Sequence, residues 1–356
     1  MQCCRRTSRI VSAPWAIAEC GCWGSTPALT ESCTTWTEKL TAKAIQYLTL
    51  LFSRLLITGA KLKHPNDDDI VWRKMTVAQI ASQYNPQVAV TDSSRYAEEN
   101  SAASEVARSS LQGMLNVRYG QGPRQILDVF PSSGAGLCCS GEAPVLLFVH
   151  GGAWRTLDKS VYSFIAPPWS KAGAITVLPS YGLLPEISLW RMVEEVREAI
   201  AWVHANVRAL GGNPERIVLA GMSAGAQLAS MALAHQPSAK VVRAAALASS
   251  VYDMDAHRWH GRHKDMSLDE ALVARASPLH NPPLDARLPI SLSVGADETP
   301  EMLRQSRDYH DKLAERGHPV QLHIEPGLHH LSMGRAFAQP ESATFKALHG
   351  LLAETA

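Results

Sequence analysis

The chain has 356 residues, 46% of them apolar, enough for one large core with an appendage or for two modest ones. Its formal net charge of +1 offers no broad field to nucleic acid or to an acidic membrane surface. The seven cysteines are odd in number and cluster at positions 3, 4, 20, 22, 33, 138 and 139, which is no disulfide framework; they read as reduced thiols of a cytoplasmic protein.

The first residues set arginines before a short apolar stretch and a small-x-small "AIA", the outline of a secretory signal, but Pro14 breaks the stretch. Residues 1–36, rich in Cys, Ser, Thr and Trp without periodicity, are expected to be disordered or outside the core. Residues 37–75 form an N-terminal helical extension. Within it Ile45, Leu48, Leu51, Phe52, Leu55 and Leu56 recur at spacings of three and four, which predicts an amphipathic helix over 37–60. Its stripe is expected to pack on its own domain, the alternatives being a homodimer contact, a lid over a pocket or a membrane-surface anchor. Pro65 and the acidic run of "KHPNDDD" end it. No run reaches 18 uninterrupted apolar residues, so no transmembrane helix is expected.

Over residues 76–356 the pattern becomes an alternation of short apolar runs and amphipathic helices. Strands are predicted at 125–130, 143–150, 174–181, 216–221, 243–249, 288–295 and 320–326. Between them, Met192, Val196, Ile200, Val203 and Val207 mark one face of a helix over 190–208, with Glu194, Glu195, Arg197 and Glu198 on the other. Such alternation predicts an α/β domain with a mostly parallel sheet and helices on both faces, its functional residues at the carboxyl ends of strands.

One junction carries chemistry. "RIVLA" reads as a buried strand and "AQLASMALAH" as a helix, so Gly221-Met222-Ser223-Ala224-Gly225 must turn from one to the other very tightly. That is the G-x-S-x-G elbow in the context it requires, with the hydroxyl at a helix N-terminus. A serine needs a base, and the base a third group to orient it. In the order this arrangement demands, "SVGADETPEM" ends a strand in Asp297-Glu298 and "IEPGLHHLSM" ends the next in His329-His330. Adjacent side chains cannot both face the serine, so one acid and one histidine are spare. The spare acid would cap the helix starting near Pro300, and the spare histidine would sit at the surface or behind the site. Upstream, a strand runs into His150-Gly151-Gly152-Ala153-Trp154. Its glycines let consecutive N–H groups point inward, and with the N–H of Ala224 they would form an oxyanion hole. His150 is read as a brace for this loop.

With these motifs in hand, the sequence resembles the α/β-hydrolase superfamily, and within it the branch of kynurenine formamidase (arylformamidase) and related esterases. The resemblance spans residues 80–350 and rests on "YNPQ", "YGQGPRQILDVFP", "HGGAWRTLDKSVYSFIAPPW", "GMSAGAQLA", "ETPEMLRQSRDY" and "HHLSM". It implies an α/β-hydrolase fold and oxyanion N–H groups from Gly152 and Ala153. It implies Glu298, before Thr299-Pro300-Glu301, as the acid, and His330, before Leu331, as the base. Ala153 stands where formamidases often carry an aromatic residue, which implies a pocket of different shape.

Two other features have plainer readings. His257, His260 and His263 in "HRWHGRH" have a spacing that three zinc ligands could share. Serine chemistry needs no metal or cofactor, so the segment reads as a connection near the pocket mouth, with Trp259 placed to touch substrate. "GQG" at 120–122 lacks the rest of a dinucleotide fingerprint. The expected function is hydrolysis of carboxylic esters of small acyl groups, with an aryl-formamide as the alternative small-molecule substrate. A hydrolase fold kept only for binding is the alternative from another class, and the apparent completeness of the triad argues against it.

Overall fold

The computed structural model describes residues 65–354, apart from 135 and 137–141 and the side chains of 262 and 263. The expected helix at 37–60 and all seven cysteines lie outside the described residues. Ten strands are described: β1 (Ile70–Trp72), β2 (Met75–Thr76), β3 (Met114–Arg118), β4 (Ile126–Phe130), β5 (Ala143–Val149), β6 (Ile175–Pro179), β7 (Gly212–Met222), β8 (Val242–Ala248), β9 (Ile290–Gly295) and β10 (Val320–Glu325). The longer helices are α1 (Ser93–Ser110), α2 (Leu189–Asn206), α3 (Ala224–Leu233), α4 (Pro300–Glu315) and α5 (Ala343–Glu354).

β5 is apolar throughout and wholly buried, as a central strand covered on both faces must be. Val145, Leu147 and Val149 enter the core layer that also holds Val193, Val196, Ile200 and Leu228. Leu146 and Phe148 point the other way, toward Trp169, Phe345, Leu348 and Leu352. Eight strands pair in the order β10-β9-β8-β7-β5-β6-β4-β3. Only β4 runs against the others: it is antiparallel to both β3 and β6, while the remaining pairs are parallel. After β6 the chain crosses back over β5 to make β7, so the order reverses at the β5–β7 pair. The crevice at such a reversal is where open α/β sheets bind ligands. The register aligns Val149 with Gly221, and the loop after β5 therefore runs beside the turn after β7.

All seven predicted strands are present, with ends moved by a few residues; β3 and α1 carried no signal. The reason is visible in α1. Its buried residues are Ser104 and Ala107, so the helix has no apolar stripe to read. It docks through polar contacts instead. Ser104 Oγ accepts the Phe164 N–H at 3.1 Å. Asp128, fully buried on β4, accepts from the Lys159 ammonium at 2.9 Å, from the Asn116 N–H at 2.8 Å and from the Arg108 guanidinium of α1. Residues 65–75, grouped by sequence with the extension, lead into an antiparallel hairpin of β1 and β2, with Ile70 opposite Thr76. Its Trp72 is buried in the core, and the indole N–H donates to Asp255 at 2.9 Å. No helix among the described residues is long and apolar enough to cross a membrane.

Removing the carboxylate at 128 strands two cations at a buried site, a cost of about 3–5 kcal/mol. Asp128→Ala is therefore expected to lower the urea midpoint strongly and Asp128→Asn less so. A midpoint like that of the parent protein would show that α1 is held some other way.

Candidate active site

At the end of β7 the chain passes from strand to helix through one residue. Ser223 has φ 54° and ψ −126°, a conformation that costs a non-glycine residue about 1–3 kcal/mol. Three hydrogen bonds hold it there. Its N–H donates to Ala248 O at 2.9 Å, and its carbonyl accepts from Ala226 and Gln227 at 3.0 and 3.1 Å. Gly225 lets the start of α3 lie against β5: a Cβ there would stand 2.2 Å from Val149 O and 2.3 Å from His150 O.

His330, in the loop after β10, has its Nε2 2.9 Å from Ser223 Oγ. Its Nδ1 lies 2.7 Å from Glu298 Oε2. Glu298 follows β9 and is buried; its Oε1 accepts the Gly295 N–H at 3.0 Å and the Ser249 hydroxyl. Both carboxylate oxygens are thus engaged, one turned to the imidazole and one fixed by the ends of β8 and β9. Of the two candidate acids, Glu298 faces the histidine. Asp297 is exposed, and its N–H donates to Leu328 O at 3.0 Å. The expectation that the spare acid caps the next helix fails: the residue before α4 is Thr299, whose own side chain makes no cap hydrogen bond, and the first-turn Glu301 N–H donates instead to Gln83 Oε1 at 3.2 Å. The spare histidine, His329, is half-buried with its ring edge-on to Tyr96 at 4.7 Å.

The loop after β5 bends sharply. Gly152 has φ +126°, where a Cβ would lie 2.0 Å from Thr156 O, and Ala153 and Trp154 are left-handed at 50° and 61°. The buried Trp154 indole anchors the loop, donating to Gln227 Oε1 of α3 at 3.0 Å. Gln227 in turn donates to Ala276 O at 2.8 Å. Gly152 and Ala153 line the same cleft as Ser223, and Ala224 opens α3 directly after it. His150 is buried and stacks on Tyr181 at 4.4 Å. Its Nδ1 lies 2.7 Å from Gly151 O, a contact that requires an N–H there. Burial lowers its pKa to about 4, so it stays neutral.

The cleft measures about 210 Å³. One wall is the β-strand ends and their loops. The other comes from Tyr84, Pro86, Val90, Tyr96 and Asn100, in and before α1. Nothing in the residue pattern assigns this second wall a role, although "YNPQ" lies in it. Ser249 was also missed, because a serine at a strand end carries no distinguishing pattern. In "HRWHGRH" the residue that reaches the cleft is His257, not Trp259, which lies beneath the Arg258 guanidinium at 5.3 Å. His257 and His260 are buried with their rings 6.0 Å apart, and the His263 side chain lies outside the described residues. Among the described residues, no group of three or more His, Cys, Asp or Glu is placed to hold a metal ion.

The family described as alpha/beta hydrolase fold matches residues 146–333, more than half of the chain, from within β5 to just past His330. The chain belongs to the α/β-hydrolase family. Among relatives of this hydrolase, a kynurenine formamidase of Danio rerio is 28% identical over 69% of this chain and 86% of its own. A probable isoprenylcysteine alpha-carbonyl methylesterase of Oryza sativa is 37% identical, over 36% of this chain and 29% of its own. Of solved structures, esterase B from Lactobacillus rhamnosis superposes with TM-score 0.58 at 17% identity, covering 76% of this chain and 97% of that one. At that identity the likeness is one of fold.

The arrangement makes two expectations. Glu298→Gln should lower kcat by roughly 10³–10⁴, since an amide favours the wrong imidazole tautomer, while Asp297→Asn leaves it near the parent value; steady-state kinetics with any turned-over ester decides, and the reverse order would move the acid by one position. Ser249→Ala removes one hydrogen bond to a buried carboxylate, about 1.5–3 kcal/mol. It should slow turnover by about tenfold or more, and unchanged kcat would deny Ser249 a part in holding Glu298.

Proposed function

We propose that this α/β-hydrolase cleaves carboxylic esters of small acyl groups through an acyl-enzyme on Ser223. The observation that carries the reading is the continuous contact from Ser223 Oγ to His330 Nε2 (2.9 Å) and from His330 Nδ1 to Glu298 (2.7 Å). His330 takes the hydroxyl proton as Ser223 attacks the carbonyl carbon. The oxyanion is held by the N–H groups of Gly152, Ala153 and Ala224. His330 returns the proton to the leaving oxygen, and the C–O bond breaks. A water molecule, deprotonated by the same imidazole, then releases the acid and restores Ser223. Glu298 keeps Nδ1 protonated and stabilises the imidazolium.

The family relatives divide between esterases and formamidases, and the second reading follows from the Danio rerio relative, which covers most of both chains. An aryl-formamide would use the same steps with an amine as leaving group. Two features favour the ester. Position 153 is the small alanine, whose side chain adds little bulk to the cleft it lines. The cleft also presents apolar surface from Val90, Leu157, Val251, Met302 and Leu331 around Ser223, suited to an uncharged acyl or alkyl group.

A direct comparison of kcat/KM for a short p-nitrophenyl ester and for N-formylkynurenine separates the readings. The ester is expected to be the better substrate, and a preference for N-formylkynurenine would reverse the assignment. Ser223→Ala should abolish turnover of either without unfolding the protein; retained activity would remove Ser223 from the mechanism.

A further inference from the structure

The cleft holds one buried hydroxyl that the scheme above leaves idle. Tyr162 belongs to the short 3-10 helix Lys159–Ile165 and is 7% exposed. Its ring is gripped by Phe148, His150 and Phe164, with centroids 5.5, 6.1 and 6.1 Å away. A fourth side is closed by Gly334, four residues after His330, where a Cβ would lie 3.6 Å from the ring. The ring is therefore fixed in place before any substrate arrives.

The hydroxyl lies next to the nucleophile. A Cβ added at Gly151 would stand 3.2 Å from the Tyr162 oxygen and 3.3 Å from the Ser223 Cβ. The phenol and the serine thus flank one spot from two sides, and the missing side chain at 151 keeps that spot open. Tyr162, Ser223, Gly152 and Ala153 all line the one cleft. The Gly151 backbone lies beside the phenol oxygen. The phenol carries one O–H proton that it can donate. Burial pushes the phenol up to about 12, so the proton stays on through the neutral range. The phenol borders the cleft, which is where an acceptor arrives.

We propose that the Tyr162 hydroxyl is a fourth hydrogen-bond donor to the reacting acyl centre, given to the substrate carbonyl oxygen as that oxygen gains charge. The proposal rests on the acyl-transfer reading of Ser223. No bond to Tyr162 forms or breaks; its proton remains on the phenol throughout.

The test compares a short-chain ester with its thiono counterpart, in which C=S replaces C=O, on the parent enzyme and on Tyr162→Phe. Sulfur is a poor hydrogen-bond acceptor, so a lost donor is felt mainly by the oxygen substrate. Loss of one oxyanion donor typically costs on the order of 10²–10³ in kcat. The expected result is a fall of about that size for the oxo-ester, with KM nearly unchanged, and a fall of less than about fivefold for the thiono-ester. The ratio of the two substrates within one preparation does not depend on how much of the variant is folded, so partial misfolding leaves the answer readable. An equal fall for both substrates, or no fall for either, would overturn the proposal, since a packing role treats the two alike. A parent enzyme inert toward the oxo-ester would overturn the acyl-transfer reading and this proposal with it.

Discussion

At the carboxyl end of β7 a strand must become a helix within a single residue, and the rest of the site is arranged around that requirement. Ser223 is held at φ 54° by hydrogen bonds from α3 and to β8. Gly225 allows α3 to press against the carbonyls that end β5. The strain cannot relax, because the sheet fixes one side of the turn and the helix fixes the other. Its consequence is a hydroxyl held clear of the sheet, next to a helix N-terminus and a loop whose backbone is itself forced into left-handed conformations. Strand order then delivers the partners. β8 brings Ser249, β9 brings Glu298 and β10 brings His330, so each successive strand end adds the next member of the chain of contacts.

The cleft is completed from outside the sheet. α1 and the segment before it supply the second wall, and α1 is fastened by Ser104, by the Asp128 cluster and by an Arg335 guanidinium that donates to Asn100 at 3.0 Å. Arg335 follows His330 by five residues. The segment that carries the imidazole is therefore tied directly to the cleft's outer wall, and the ring of His329 packs edge-on to Tyr96 of that wall. Substrate fit and histidine placement share one set of contacts.

The arrangement of the candidate site was legible in the sequence because it depends on backbone constraints that only certain residues satisfy. Gly221 and Gly225, two before and two after Ser223, and Gly152 leave no room for a Cβ at their close approaches, so they stand out against any background. Buried strands such as β5 were legible for the same reason: continuous apolar runs are what a doubly covered strand needs. The acid was ambiguous, since Asp297 and Glu298 are adjacent and strand-end geometry alone decides which side chain turns inward. What stayed hidden relies on small or polar residues. α1 buries serine and alanine, which leave no hydrophobic period, and Ser249 and Tyr162 owe their positions to strands and turns far away in the chain.

The most direct test of the Ser223 assignment is peptide mapping by mass spectrometry after reaction with a fluorophosphonate, which traps a serine oxygen activated by a nearby base. The account predicts one phosphonyl adduct, on the peptide containing Ser223, formed rapidly by the folded protein. An adduct on a different residue, or none at all on folded protein, would contradict it.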